Sequence, residues 1–451
     1  MNRNNRAGMT FFLLSPLLLL AGNVPAAEQN VLLYVVDDQG STDAGCYGNP
    51  AIKTPGLDAL AAAGTRFTHA FCTTASCSAS RSVILSGQYN HANGQYGHQH
   101  SYHHFSSFQE VKSMPVLLAE RGYRTASAGK YHVAPEEVYH FEEYLNGPSP
   151  AQMADKCRDL IAADSDKPFF LYFCTTEPHR PFKREGSDTF DPADVIVPPY
   201  LPDTPECRGE LAKYYGSVQR ADAGLVRLIE ILKETGHWTD TLVIYVSDNG
   251  IAFPGAKTTL YEPGMRLPCV VRNPRAAKVG VVTDAMVTWA DLLPTVLEFA
   301  GAPAKGLSLH GRSFLPVLET EHPQGWDEIY ASHTFHEITM YYPMKVVRGR
   351  KYKLIWNIAH GLDYPFASDL FASATWQGVL ASGSDTYAKR KIDAYLHRPK
   401  FELYDLESDP DEVVNLADSP ERAEVLAELK EKIKAFQKRT KDPWILKWEH
   451  E

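Results

Sequence analysis

The chain has no C-x-x-C pair: its seven cysteines, Cys46, Cys72, Cys77, Cys157, Cys174, Cys207 and Cys269, are scattered, which argues against a zinc knuckle and a thioredoxin-like redox centre. It has no N-x-[ST] sequon. That disfavours a glycosylated lysosomal or extracellular eukaryotic protein and favours a bacterial periplasm. Basic residues are not in excess either, since 45 Lys and Arg stand against 55 Asp and Glu for a formal net charge of −10. General attraction to nucleic acid or an anionic membrane is therefore not expected, and an anionic substrate needs a locally positive pocket. There is no internal repeat and no low-complexity tract.

Long apolar runs are confined to the N-terminus. Arg3 and Arg6 precede an apolar stretch from Phe11 to Ala21, and the small residues Ala26 and Ala27 follow, so residues 1–27 read as a secretory signal with the mature chain starting near Glu28. Pro16 interrupts the run, which is short for a membrane span. Asn23, not cysteine, follows Leu-Ala-Gly, which argues against a lipidated N-terminus. The expectation is a secreted or periplasmic protein without stable membrane insertion; a lysosomal one is disfavoured. Setting Cys77 aside leaves an even number of cysteines, so disulfides are compatible with that compartment, but their pairing is not readable from sequence.

What is present is the composition of an ordinary globular protein, in 451 residues, enough for one large or two unequal domains. Val31 to Val36, Pro168 to Cys174 and Thr241 to Val246 are continuous apolar, β-branched or aromatic runs that stop at polar clusters. Such runs predict strands covered on both faces. Between them, Pro55 to Ala63, with Thr54 as a possible cap, and Leu211 to Glu234 carry helical signals. Strands alternating with helices predict an α/β sandwich, whose ligands sit at the carboxyl ends of the strands. After about Pro323 the pattern shifts to shorter strand-like pieces, Glu328 to His333, Met344 to Val347 and Tyr352 to Trp356. A last amphipathic helix is predicted from Pro420 to Arg439, capped by Ser419, with Val425, Leu426, Leu429, Ile433 and Phe436 on one face. The expected division is thus residues 28–323 and a smaller α+β domain, 324–451.

The stretch Cys77-Ser78-Ala79-Ser80-Arg81, running to Gly87, predicts a helix that opens near Cys77 and ends before Gly87. Its unpaired N–H groups, its dipole and Arg81 favour an anion beside Cys77. Asp37-Asp38 and Asp248-Asn249 each follow a predicted strand and bring oxygen ligands of the kind that select calcium or magnesium over zinc. Alone, each pair is also ordinary turn chemistry. Lys130, His132, His179 and Lys257 add the cationic and proton-carrying groups that a pocket for an anion requires in an acidic protein.

These residues, in this order, resemble the active-site pattern of the formylglycine-dependent sulfatase family. The segments Asn93 to Phe108, Val138 to Phe141, Asp248 to Gly264, His336 to Met340 and Glu402 to Ala417 resemble its N-sulfoglucosamine sulfohydrolase (sulfamidase) subgroup. Ala79 stands where proline is commoner in the family. The resemblance implies an alkaline-phosphatase-like α/β sandwich with a mainly parallel or mixed central sheet. It implies Cys77 oxidised to formylglycine by a maturation enzyme, and one Ca2+ held by Asp37, Asp38, Asp248, Asn249 and residue 77. Arg81 and Lys130 would steady the formylglycine hydroxyls and Lys257 would bind sulfate oxygens. His179 would protonate the leaving atom and His132 would take a proton when sulfate is expelled. His336 and Glu337 would touch the sugar of a sulfated glycosaminoglycan oligosaccharide, and a homodimer is compatible with this reading. An O-sulfatase, a phosphomonoester or phosphonate hydrolase, and a catalytically silent glycan binder stay open as alternatives.

Overall fold

The computed structural model describes residues 1, 29–182, 190–302 and 304–450. The signal-sequence reading of residues 1–27 lies outside the described residues apart from Met1. The central sheet has eight strands: β1 (Asn30–Val36), β2 (Thr65–Phe71), β3 (Arg124–Gly129), β4 (Glu143–Leu145), β5 (Phe169–Cys174), β6 (Thr241–Ser247), β7 (Arg266–Arg272) and β8 (Val281–Thr288). Their order is β4-β3-β5-β1-β6-β7-β2-β8. Every neighbouring pair is parallel except the two that involve β7.

All seven residues of β1 are buried, as a strand covered on both faces requires. Its side chains alternate between two cores. Val31, Leu33 and Val35 pack with Phe170, Tyr172, Ile244 and Val246. Leu32, Tyr34 and Val36 face the other way, onto Leu225, Leu228 and Leu232 of the long helix Pro205–Glu234. That helix begins one and a half turns before Leu211, at a Pro in the first turn and a Thr204 hydroxyl that accepts from the Cys207 N–H, a start fixed by capping and not by apolar spacing.

Parallel register explains how distant residues reach one edge. Val36 pairs with Ser247, Val35 with Cys174 and Gly129 with Cys174. Strands β3, β5, β1 and β6 therefore end side by side, and each hands its next residues to the same rim of the sheet. Gly129 is required at that rim. Its φ is +81°, and a Cβ there would stand 2.1 Å from the Cys174 carbonyl oxygen.

A second, antiparallel sheet follows. It is formed by β9 (Glu328–His333), β10 (Met344–Gly349), β11 (Tyr352–Asn357) and β14 (Phe401–Asp405), in the order β14-β11-β10-β9. A two-stranded ladder, β12 (Thr386–Tyr387) and β13 (Arg390–Lys391), lies between them in sequence. One face of the four-stranded sheet buries Val347, Leu354, Trp356 and Leu403 against Leu429 and Ile433 of the final helix. Its other face places Ile329, Ala331, Val346 and Ile355 in the core shared with the large sheet.

Two capping expectations are corrected. Thr54 precedes the helix Pro55–Ala62 but makes no cap; its hydroxyl accepts from the Gly45 N–H and donates to Asp58, which locks the preceding turn instead. Ser419 precedes a 3₁₀ turn, Pro420–Arg422, and the α-helix proper runs Ala423–Thr440. Its hydroxyl is engaged by the Glu421 carboxylate. All seven cysteines are free thiols, and all but Cys46 are buried.

Candidate active site

The helix Cys77–Ser86 is wholly buried and ends at Gly87, whose φ of +64° closes it in the left-handed conformation. Ser76 occupies the N-cap position without using its side chain as a cap. Its hydroxyl is instead hydrogen-bonded with His336 Nδ1 at 3.0 Å. The first-turn N–H groups are thus left to whatever lies in front of Cys77.

In front of it lie the strand-end residues. Donor atoms of Asp37, Asp38, Cys77 and Asp248 all fall within 4.8 Å of one another, and all four residues are buried. Cys77 Sγ is 3.8 Å from Asp38 Oδ1. The Asp38 N–H donates to Asp248 Oδ1 at 3.1 Å, with Asp38 itself at φ +69°, so the two strand ends are tied directly. Asn249 Nδ2 donates to Asp38 Oδ1 at 2.5 Å.

Each carboxylate has its own cation. Lys130 Nζ is 2.6 Å from Asp37 Oδ2, Lys257 Nζ is 2.9 Å from Asp38 Oδ2, and Arg81 reaches Asp248 Oδ2 through Nε at 3.0 Å and Nη2 at 2.9 Å. Arg81 also donates to the Lys130 carbonyl at 3.2 Å. Three carboxylates and three cations therefore balance. Burial pushes the Asp37 carboxyl up, but Lys130, His179 and Arg81 outweigh it and hold it below the usual range. For Asp248, burial wins over Arg81, and its carboxyl is raised. Burial also drives the Cys77 thiol well up, against the pull of Lys130 and Lys257. As an unmodified thiol, residue 77 is a poor nucleophile.

The residues fit a hard divalent cation. Asp37 Oδ1 and Asn249 Oδ1 are buried oxygens without a hydrogen-bond partner, which is what a cation site leaves over. Three carboxylates and an amide oxygen are the donor set of calcium or magnesium. Engaging Asn249 as a ligand requires its amide to present Oδ1 in place of Nδ2. Asp369 also holds Lys257, so four carboxylates face three cations, and a divalent ion would leave the group with a surplus of one positive charge for an anion.

His179 joins the same group: its Nε2 is 2.9 Å from Lys257 Nζ and 3.6 Å from Asp38 Oδ2. Lys257 is held from the other side by Asp369 Oδ2 at 3.4 Å. His132 stands at φ +52° with both ring nitrogens buried and unpartnered. Burial, then Lys130, drives its pKa well down. A cleft of about 520 Å³ opens over these groups, lined by Asp37, Lys130, His132, His179, His98 and Arg180 among others.

His336 and Glu337 do not line that cleft. His336 is buried behind His98, Nε2 to Nε2 at 2.9 Å. Glu337 accepts from the Ser368 N–H and hydroxyl, at 2.9 and 2.6 Å. Sequence reasoning missed Asp369, the Arg180–Glu210 ion pair at the cleft wall, and His98 and His100 as individual cleft residues. Only the histidines left a signal, through their density between His98 and His104.

Residues 29–302 match the family model described as Sulfatase, and residues 255–364 match the one described as N-sulphoglucosamine sulphohydrolase, C-terminal. The chain is 37% identical to human N-sulphoglucosamine sulphohydrolase over 473 aligned residues, covering 95% of this chain and 94% of the relative. It is 30% identical to an ulvan-active sulfatase of Formosa agariphila, covering 87% and 77%. A solved complex of a protein with its substrate D-glucosamine-2-N,6-O-disulfate superposes with a TM-score of 0.69 at 21% identity, covering 92% of this chain and 99% of that one. The fold is thus the alkaline-phosphatase-like sandwich with a separate antiparallel sheet, and the chain belongs to the sulfatase family.

Proposed function

We propose that this sulfatase removes the N-sulfate from a terminal N-sulfoglucosamine of heparan sulfate or heparin fragments, giving glucosamine and sulfate. The observation that carries the substrate is the match of residues 255–364 to the N-sulphoglucosamine sulphohydrolase C-terminal model, because that stretch contributes Lys257 and the His336–Glu337 segment behind the cleft. The near full-length identity with the human relative supports the same substrate.

Asp37, Asp38, Asp248 and Asn249 would hold one Ca2+, and residue 77, oxidised by a formylglycine-generating enzyme, would hold the aldehyde. Together these would supply a hydrated aldehyde hydroxyl to attack sulfur and a cation to polarise the sulfuryl oxygens. Arg81, locked on Asp248, and Lys130, locked on Asp37, keep the charge around residue 77 fixed. Lys257, buried between Asp38 and Asp369, would turn to bind sulfate oxygens. A departing amine needs a proton far more than a departing phenolate does, and His179 delivers it from Nε2. His132, neutral and with free ring nitrogens, accepts the proton whose loss from residue 77 expels sulfate. His336 and Glu337 act on the sugar through the cleft wall and not by direct contact.

The compartment in this reading is the periplasm or the exterior, reached by cleavage of residues 1–27. No helix among the described residues is long and apolar enough to cross a membrane. The division at residues 323 and 324 belongs to the same proposal, as does a homodimer.

The test is sulfate release, side by side, from N-sulfoglucosamine and from 6-O-sulfated N-acetylglucosamine. Release from the first with the second essentially intact is expected. Preference for the second would make the chain an O-sulfatase.

A further inference from the structure

Beside the acidic cluster lies a second group of potential ligands with different chemistry. One ring nitrogen from each of His98, His100 and His132 falls within 4.8 Å of the others. The rings lie face to face in a triangle, with centroid separations of 4.8 Å for His98–His100, 4.7 Å for His100–His132 and 5.1 Å for His98–His132. Three of their nitrogens, His98 Nδ1 and both of His132, are buried without a hydrogen-bond partner. Unpartnered buried polar atoms are unfavourable unless something engages them.

We propose that His98, His100 and His132 form a binding site for a borderline divalent transition ion of the Zn2+ class, separate from the oxygen site, and that its occupation blocks His132. Imidazole nitrogens suit such ions, while calcium requires oxygen. Two of the three ligands are set by the fold. His132 follows β3, and His98 is held by a chain that runs from its Nε2 to His336 Nε2 at 2.9 Å and from His336 Nδ1 to the Ser76 hydroxyl at 3.0 Å. A fixed outer partner of this kind orients a metal-binding imidazole and selects its free nitrogen.

The third ligand is the adjustable one. His100 is exposed, beside Ser101 at φ +54°. With Zn–N bonds of about 2.1 Å, tetrahedral ligands stand about 3.4 Å apart, so nitrogens that lie within 4.8 Å of one another close on an ion by drawing in by up to about 1.4 Å, with exposed His100 able to move from the cleft side. The cleft gives the ion its path and leaves the fourth position to water. Burial keeps His98 and His132 neutral, as a metal ligand must be.

The binding claim is independent of the proposed reaction; the inhibition rests on it. Tag-free protein saturated with calcium is titrated with Co2+, read by its visible d–d absorption, and with Zn2+, read by calorimetry. One further equivalent per chain is expected, with a tetrahedral Co2+ spectrum. His100→Ala should weaken affinity at least about 100-fold, and His336→Gln, which removes only the outer partner, about 10- to 100-fold. Zn2+ should inhibit sulfate release over the concentrations at which it binds, and added calcium should not relieve it. Absence of a second equivalent, or unchanged affinity in His100→Ala, overturns the site. Stoichiometric binding without inhibition overturns the assignment of proton transfer to His132 and leaves the site standing.

Discussion

Lys257 Nζ and His179 Nε2 are 2.9 Å apart and so share one hydrogen bond. His179 Nδ1 faces the Arg180 carbonyl in a short contact and must carry a proton to donate there. Nε2 therefore accepts from the Lys257 ammonium, which Asp38 and Asp369 also hold. In the proposed reaction, delivery of a proton to the leaving atom thus depends on this lysine–histidine pair. When Lys257 turns to a sulfate oxygen and keeps its own protons, His179 Nε2 is freed to take up a proton from water in the cleft, and the imidazolium so formed gives that proton to nitrogen.

His179→Ala should lower kcat on N-sulfoglucosamine by about 10²- to 10⁴-fold, the range of a lost general acid. An aryl sulfate with a phenolate that departs unaided should lose less than about 10-fold. Steady-state kinetics on the two substrates checks this. Equal losses on both would assign His179 to binding and not to proton delivery.

Arg81 and Asp248 are both fully buried. Arg81→Met would leave a carboxylate without its partner and should destabilise the fold by about 3–5 kcal/mol. Arg81→Lys, which lacks the two-pronged fork, should fall between. Urea unfolding measures both, and a loss under about 1 kcal/mol for the Met variant would contradict the pairing.

Much of this site was legible because three apolar runs stop abruptly at polar residues, and parallel pairing does the rest: the Val36–Ser247 register alone brings Asp37 beside Asp248 across 211 residues. The mutual neutralisation of the cluster was not legible. The resemblance assigned Arg81 and Lys130 to the formylglycine hydroxyls and Lys257 to sulfate oxygens, whereas each of the three also pairs with one carboxylate of the cluster. Asp369 sits in a four-residue helix with nothing local to mark it, and only the return of the chain to Lys257 gives it a role. The caps at Thr54 and Ser419 failed because each hydroxyl is turned to another partner: Thr54 accepts from the Gly45 N–H and donates to Asp58, and Ser419 donates to Glu421.

That neutralisation shapes the response to metal removal. Exhaustive chelation should abolish sulfate release, and calcium should restore it better than zinc does, yet the chain should stay folded. Calcium at about 100 times its Kd should add about 2.7 kcal/mol, visible as a raised melting temperature. Full activity after chelation, with no divalent ion by elemental analysis, would contradict the ligand set.

Acid should destabilise the protein. Burial pushes His91 and His333 down to about 3 and His69 and His310 down to about 4, so below about pH 6.5 the unfolded chain binds protons that the folded one does not. Asp222 and Asp291, raised by burial to about 6, act oppositely and favour the folded state as pH falls. Four groups outweigh two, and melting temperature should drop between pH 7.5 and 5.0. His91→Phe, in a site walled by Tyr89, His310 and Phe436, should flatten the slope. A higher melting temperature at pH 5.0 would contradict this balance and favour an acidic compartment.

The central claim is that residue 77, at the centre of this cluster, works as an aldehyde and not as a thiol. Preparations made with different amounts of the maturation enzyme should be peptide-mapped at Cys77, and each assayed for sulfate release from N-sulfoglucosamine. Specific activity should rise in proportion to the converted fraction and extrapolate to zero at none. Full activity in material carrying only unmodified Cys77 would contradict it.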